Sequence, residues 1–157
     1  SERRIVPKEK KRVVPKPGKV KKGHVRFRIY PTCIVYHGKK KLGWSSKARL
    51  TAAPGKVKFL CKNAKEKFVQ TFTVRVKAGK TTTFRRKLQK GKFVAFANPW
   101  GWIHIRGLGK LGETQKPYSL YSGTYYLTIY QGRNPKRKKK KTLRITPGKT
   151  TKLKIRW

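Results

Sequence analysis

Residues 91–112, GKFVAFANPWGWIHIRGLGKLG, decide the fold of this chain. The stretch holds two of the four tryptophans, an alternating apolar run and closely spaced glycines, and a weaker copy, GHVRFRIYPTCIVYHGKKKLG, occupies residues 23–43. Four pairs of glycines recur at a spacing of 68 or 69 residues: Gly23 and Gly91, Gly43 and Gly112, Gly55 and Gly123, Gly79 and Gly148. A fixed spacing across four landmarks indicates an internal duplication. We therefore predict two tandem small domains, repeat one at residues 23–88 and repeat two at residues 91–157.

Apolar and polar residues alternate along much of both repeats, which is the pattern of half-buried strands. The pattern predicts strands at residues 25–29, 34–36, 49–51, 57–61, 72–76 and 81–88 in repeat one, and at 93–97, 102–105, 125–130, 142–146 and 151–157 in repeat two. Residues 39–46 are expected to form a loop, and Gly79 and Gly148 to lie in hairpin turns. Short strands between Gly and Pro turns predict an all-β protein of two tandem small antiparallel β-sandwich domains.

Residues 1–22 are expected to form an extended basic N-terminal arm. Ten of these residues are Lys or Arg, and three prolines interrupt any helix. Such a composition favours extended, polyproline-like segments. The arm is either a solvated linker or a segment that lies on a partner. In the second case the arm contributes these cations to polyanion binding: Arg3, Arg4, Lys8, Lys10, Lys11 and Arg12.

The charge balance of the chain is extreme. The 45 Lys and Arg residues face 4 acidic residues, which gives a net charge of +41. A field of this sign attracts anions, so we expect the partner to be an anionic macromolecule: an acidic protein or an anionic polysaccharide, with nucleic acid as the alternative. Catalysis by paired carboxylates and oxygen-rich metal sites both need acidic side chains. We therefore expect no enzyme activity and no cofactor.

Two glycine motifs are expected to be turns rather than phosphate-binding loops. Residues 107–112, GLGKLG, match the dinucleotide-binding pattern, but no helix is predicted to follow them. Gly79-Lys80-Thr81 and Gly148-Lys149-Thr150 resemble the end of a P-loop but lack its first glycine. The three histidines are scattered without the spacing of zinc ligands, so we expect no metal site. No stretch approaches the roughly 18 apolar residues of a membrane span.

Cys33 and Cys61 are both predicted to face the core of repeat one. They lie 28 residues apart and can bridge two strands as a disulfide, as in small secreted domains. The alternative is two buried free thiols. The sequence leaves both open.

Residues 133–141, RNPKRKKKK, are the candidate polyanion-binding segment. Seven of the nine residues are cationic, and the strand patterns on either side predict a projecting hairpin loop. The candidate binding residues are Arg133, Lys136, Arg137, Lys138, Lys139, Lys140 and Lys141. Aromatic residues lie among basic ones nearby, as in proteins that stack on bases: Trp100, Trp102, Tyr118, Tyr121, Tyr126 and Tyr130. A role in the core or at its rim is the commoner one, and alternation predicts that Tyr126 and Tyr130 point outward.

Residues 98–114 resemble the opening of a PEGA domain. The resemblance rests on Asn98-Pro99-Trp100-Gly101-Trp102, the strand Ile103-His104-Ile105, Gly107 and Leu111-Gly112-Glu113-Thr114. Later PEGA features, a Gly turn before a strand and a closing Gly-Lys-Thr turn, have counterparts at residues 122–124 and 148–150. The resemblance is weaker over residues 23–88. PEGA domains are small β-sandwiches, mostly bacterial, that occur in surface and envelope proteins and attached to bacterial kinases. The domain itself has no catalytic residues.

The resemblance therefore implies a structural or accessory module within a larger assembly, located in the cell envelope or secreted. Together with the charge, it predicts a module that docks onto an acidic protein assembly or an anionic envelope polymer. The alternative is a nonspecific nucleic-acid-binding protein in the cytoplasm. Export and a disulfide favour the first reading, whereas reduced thiols favour the second.

Overall fold

The structure, a computed structural model, describes residues 20–157. Residues 1–19 of the predicted arm, and with them Arg3, Arg4, Lys8, Lys10, Lys11 and Arg12, lie outside the described residues. Within residues 20–157 the chain is all-β, with no helix. Its strands are β1 (Gly23–Tyr30), β2 (Ile34–His37), β3 (Lys40–Trp44), β4 (Arg49–Ala52), β5 (Gly55–Asn63), β6 (Phe68–Val76), β7 (Thr81–Lys87), β8 (Lys90–Ala97), β9 (Gly101–Ile105), β10 (Gly109–Glu113), β11 (Pro117–Tyr121), β12 (Gly123–Gln131), β13 (Lys138–Ile145) and β14 (Thr150–Ile155).

The strands form two small β domains with the same topology. In repeat one a three-stranded sheet with the order β4-β1-β7 faces a four-stranded sheet with the order β3-β2-β5-β6. In repeat two the corresponding orders are β11-β8-β14 and β10-β9-β12-β13. Each strand of repeat two has its counterpart seven strands earlier, as an internal duplication requires. The predicted all-β fold of two tandem small domains is confirmed.

The turns at Gly79 and Gly148 differ from the prediction. Gly79 follows β6 in the four-stranded sheet and precedes β7 in the three-stranded sheet, so the turn crosses between layers. The same holds for Gly148 between β13 and β14. Strand β7 then pairs in parallel with β1, and β14 with β8. The hairpin prediction was wrong because a glycine at positive φ suits a layer crossing as well as a hairpin.

Three strands lie where the sequence pattern predicted none. Strand β3 occupies most of the expected loop at residues 39–46, and β10 and β11 fall in residues given no strand. In both β3 and β10 the pairing shifts by one residue, at Leu42 and Leu111, so each strand contains a β-bulge. A bulge reverses the alternation of side chains partway along a strand, which removes the period-two signal.

Each repeat has its own hydrophobic core. In repeat one the aromatic rings of Phe27 and Phe84 both lie 4.9 Å from the ring of Phe59. Cys33 and Cys61 are joined by a disulfide within this core, with their Cα atoms 5.4 Å apart. Both cysteines are fully buried. The sequence left open a disulfide or two free thiols, and the structure contains the disulfide.

The two repeats meet through side chains that cross from one core to the other. Val69 of repeat one packs against the core of repeat two, and Tyr121 of repeat two packs within the core of repeat one. The buried side chain of Gln70 donates to the carbonyl oxygen of Thr124 at 3.0 Å and accepts from its N–H at 3.1 Å. One amide thus satisfies both backbone groups of a residue in the other repeat.

Tyr121 also makes polar contacts at this junction. Its hydroxyl donates to the carboxylate of Glu66 at 3.4 Å, and Lys90 lies 5.1 Å from the centre of its ring. Burial, with the neighbouring Tyr30 and Glu66, raises the pKa of Tyr121 to about 12. The phenol therefore stays protonated at neutral pH and acts as a structural donor.

Candidate polyanion-binding surface

The basic segment 133–141 is half turn and half strand. The N–H of Arg137 donates to the carbonyl oxygen of Asn134 at 2.9 Å, and the N–H of Gln131 donates to the carbonyl oxygen of Arg137 at 2.9 Å. Strand β13 begins at Lys138, and its first four residues are lysines. The prediction of a loop reaching Lys141 was therefore wrong over residues 138–141, where pairing with β12 orders the chain. All nine side chains are exposed.

The four lysines of β13 point alternately to the two sides of their sheet. Lys138 and Lys140 lie opposite Tyr130 and Thr128 on the outer face. Lys139 and Lys141 lie opposite the core residues Ile129 and Leu127, yet both remain exposed, since β13 is the last strand of the sheet. Inward-pointing lysines on an edge strand discourage pairing with another chain.

The outer face of the sheet β10-β9-β12-β13 carries aromatic rings beside these lysines. Trp102 lies opposite Tyr130, and His104 lies opposite Thr128. The rings of His104 and Tyr130 are 4.9 Å apart at nearly right angles, and the rings of Trp100 and Trp102 are 5.1 Å apart. Two rows of side chains therefore cross the sheet. One contains Trp102, Tyr130 and Lys138, and the other contains His104, Thr128 and Lys140.

Two further cations lie over aromatic rings of this face. The Nζ atom of Lys110 is 3.5 Å from the centre of a Trp102 ring, and the guanidinium carbon of Arg106 is 4.9 Å from the centre of the Tyr126 ring. Both distances are in the range of a cation–π interaction. We refer to these residues together as the cation–aromatic face: Trp102, His104, Arg106, Lys110, Tyr126, Tyr130, Lys138 and Lys140.

A depression of about 500 Å³ lies on the cation–aromatic face. Its lining includes His104, Arg106, Tyr126, Tyr130 and Lys140. Rings and cations from three neighbouring strands and the turn after β9 therefore meet around one hollow. Such a hollow can hold a planar group against a ring while cations contact negative charges next to it.

The two acidic residues of the described part of the chain are engaged away from the lysines of β13. Glu66 accepts the hydrogen bond from Tyr121 at the junction of the repeats, and Glu113 lies 3.7 Å from Lys116. Within residues 20–157, no acidic side chain therefore offsets the positive charge of residues 133–141.

Sequence reasoning placed part of this surface correctly. Tyr126 is 48% exposed and Tyr130 is partly exposed, so their outward direction is confirmed. Tyr118 and Tyr121 do not join this face. The hydroxyl of Tyr118 donates to the carbonyl oxygen of Glu113 at 2.7 Å, and Tyr121 lies at the junction between the repeats.

His104, Arg106 and Lys110 were missed as site residues. The alternation of β9 places His104 beside Trp102 on the outer face, so the signal was present for this residue. Lys110 lies in strand β10, which the glycine-rich sequence hid. Gly107 and Gly109 both have positive φ, at 86° and 91°, and form the turn between β9 and β10. Residues 107–108 of the GLGKLG motif lie in a turn, as predicted, whereas residues 109–112 lie in strand β10, where no strand was predicted.

Two features of residues 20–157 bear on other functions. No group of three or more His, Cys, Asp or Glu side chains there is arranged to hold a metal ion. In the same residues, no helix has the length and apolar character needed to cross a membrane.

Comparison with known proteins does not assign the chain to a family. No family model matches the chain, and no curated protein sequence matches it. Among solved structures, the chain is similar to the Bacillus anthracis TIE protein with 13% identity and a TM-score of 0.32, over 86% of this chain and 34% of that one. The chain thus spans about a third of the length of that protein.

Proposed function

We propose that this protein is a non-catalytic structural or accessory module that docks through its basic surface onto an anionic macromolecule within a larger assembly. The observation that carries the proposal is the run of four exposed lysines in β13, held in an ordered strand beside the cation–aromatic face. Strand pairing fixes the lysine backbones before binding. Less conformational entropy is therefore lost when a partner binds than with a flexible loop.

We assign the partner to acidic proteins or anionic envelope polymers, with the protein in the cell envelope or secreted. The disulfide between Cys33 and Cys61 supports this location, since such bridges persist mainly in oxidising compartments. The resemblance of residues 91–157 to PEGA domains stays a prediction that points the same way.

Nucleic acid is the second candidate, and the cation–aromatic face favours it. Exposed rings interleaved with cations are typical of proteins that bind single strands by base stacking and phosphate contact. Residues 20–157 contain no helix that could enter a major groove. Binding of this kind would be nonspecific and strongly weakened by salt.

The double substitution Lys138→Gln and Lys140→Gln is expected to weaken polyanion binding about 10-fold. Each lysine that contacts an anionic chain releases about one counterion from it, so the slope of log K against log salt should become shallower by roughly 1.5. The probes are poly-L-glutamate and single-stranded oligothymidine, measured by fluorescence anisotropy over a salt series.

The matched control for this experiment is Lys152→Gln with Lys154→Gln. Both lysines are exposed on β14 in the other sheet of repeat two, and the loss of charge is identical. We expect less than about a 2-fold change in affinity. Equal losses in the two double variants would show that net charge alone, rather than β13, determines binding.

Tyr126→Leu is expected to separate the two kinds of partner. Tyr126 is half exposed, so the variant should keep its fold. A tyrosine ring stacks on bases at about 1–3 kcal/mol per base but gains nothing comparable from a carboxylate chain. If nucleic acid is the partner, affinity for oligothymidine falls about 5-fold or more while affinity for poly-L-glutamate is unchanged. Unchanged affinity for both probes would remove the support for nucleic acid.

A further inference from the structure

A second basic cluster lies on repeat one, on the outer face of the sheet β4-β1-β7. The strand pairing places Arg26 opposite Arg49 and Arg28 opposite Arg85. Lys87, opposite Tyr30, continues the row, and all of these side chains are exposed. We call the following set the arginine cluster: Arg26, Arg28, Arg49, Arg85 and Lys87. Arg86, opposite the core residue Ile29, points to the other side of the sheet.

The arginine cluster surrounds a cavity of about 560 Å³. Thr32, Ser46 and Tyr30 line the same cavity, and no acidic residue among residues 20–157 does. Its volume is in the range of small-ligand sites, about 300–1,000 Å³. The cavity therefore combines five outward-facing cations with neutral polar residues.

One guanidinium group of the cluster is held close to the backbone. Arg49 donates to the carbonyl oxygen of Ala48, the residue before β4, at 3.0 Å. Because this side chain is already ordered, it loses less freedom on binding an anion.

Repeat two shows that the fold does not need this cluster. The residues that correspond to Arg26, Arg28 and Arg49 are Val94, Phe96 and Pro117, where Pro117 lies opposite Val94 as Arg49 lies opposite Arg26. Like charges directly opposite each other on neighbouring strands destabilise a sheet. Repeat two keeps cations only in the places of Arg85 and Lys87, as Lys154 and Arg156. An anionic ligand would account for the fuller cluster of repeat one.

We propose that the arginine cluster binds a compact group that carries two or more neighbouring phosphates. An arginine presents a planar fork that matches two oxygens of one phosphate, whereas a lysine acts as a single point charge. A phosphate offers three strong acceptor oxygens and up to two negative charges, so adjacent phosphates can engage several arginines at once. The site goes beyond the proposed function, since neither β13 nor the cation–aromatic face takes part. The ligand is either a free oligophosphate or the backbone of a nucleic acid.

Charge-preserving substitution tests this proposal. The triple variant Arg26→Lys, Arg28→Lys and Arg85→Lys keeps the net charge and alters only exposed side chains. We expect its affinity for inorganic tripolyphosphate to fall at least about 10-fold in calorimetric titration at physiological salt, because the bidentate contacts are lost. Lys138→Gln with Lys140→Gln should leave that affinity within about 2-fold, so failure here is distinguishable from failure of the β13 proposal.

Two further probes identify the source of the phosphates. If tripolyphosphate does not bind but oligothymidine binds the triple variant at least about 10-fold more weakly than the wild type, the ligand is a nucleic-acid backbone and the phosphate assignment stands. Equal affinity of wild type and triple variant for both phosphate probes would overturn the proposal. An equal loss for poly-L-glutamate would overturn it too, since the cluster would then respond to negative charge of any kind. Matching thermal melting curves confirm that the triple variant is folded.

Discussion

Replacing Cys33 and Cys61 with alanine will lower the free energy of unfolding by about 3.5 kcal/mol. The bridge closes a loop across a sequence separation of 28 residues, and the entropy that such a closure removes from the unfolded chain corresponds to about this amount. The cost falls on repeat one, whose 66 or so residues provide only a small core. Urea unfolding of the variant and the wild type, followed by far-ultraviolet circular dichroism, measures the change.

A reducing agent provides the control for the cysteine variant. Dithiothreitol should destabilise the wild-type protein by a similar amount and leave the double alanine variant unchanged. High salt should recover part of the loss in both cases, because it screens the repulsion within a chain of net charge +41. A double variant as stable as the wild type would contradict the stabilising role of the bridge.

Gly91→Ala will destabilise repeat two by about 3 kcal/mol. A Cβ atom at this position would overlap the carbonyl oxygen of Thr146 and lie 2.9 Å from Cγ2 of Ile145. The obstruction is mainly backbone, which cannot rotate away, so the strands must move apart as in other overpacked cores. Gly23 has the same surroundings in repeat one, where a Cβ would overlap the carbonyl oxygen of Lys77. We expect Gly23→Ala to have a similar effect.

Gly148→Ala is the matched control for the glycine prediction. Gly148 has a φ of 71°, and an added Cβ would meet nothing within 4 Å. The substitution therefore introduces only the unfavourable left-handed conformation, worth about 1 kcal/mol. Thermal and urea unfolding of the three variants measure the difference. Comparable losses for Gly91→Ala and Gly148→Ala would show that close packing at Gly91 is not the cause.

The sequence revealed those strands whose side chains alternate regularly. Val25, Phe27 and Ile29 gave β1 its clear pattern, and the recurring glycines revealed the duplication. Strands β3 and β10 were hidden, since a bulge next to Leu42 or Leu111 breaks the alternation. The parallel pairing of β7 with β1 and of β14 with β8 could not be predicted either. A glycine in a turn is compatible with a hairpin in one sheet and with a crossing to the other sheet.

The candidate sites were predictable to different degrees, for the same reason. The lysines of residues 138–141 are adjacent in the chain, so their density was visible without a structure. The arginine cluster is assembled from β1, β4 and β7, and its members come together only through the antiparallel pairing of β1 with β4 and the parallel pairing of β1 with β7. Arg28 and Arg85 are 57 residues apart in sequence yet directly opposite in the sheet. Such long-range pairings leave no local pattern.

The junction between the repeats depends on Gln70, which has no equivalent in repeat two. Gln70 lies opposite Cys61 in repeat one, and the residue in the same place in repeat two is Lys139, opposite Ile129. The Gln70 amide both donates to and accepts from the backbone of Thr124, whereas a lysine ammonium has no acceptor. A unit packed against β13 could therefore not form the pair of hydrogen bonds that Gln70 forms with Thr124. These bonds give the junction a direction, because β6 of repeat one offers them and β13 of repeat two does not.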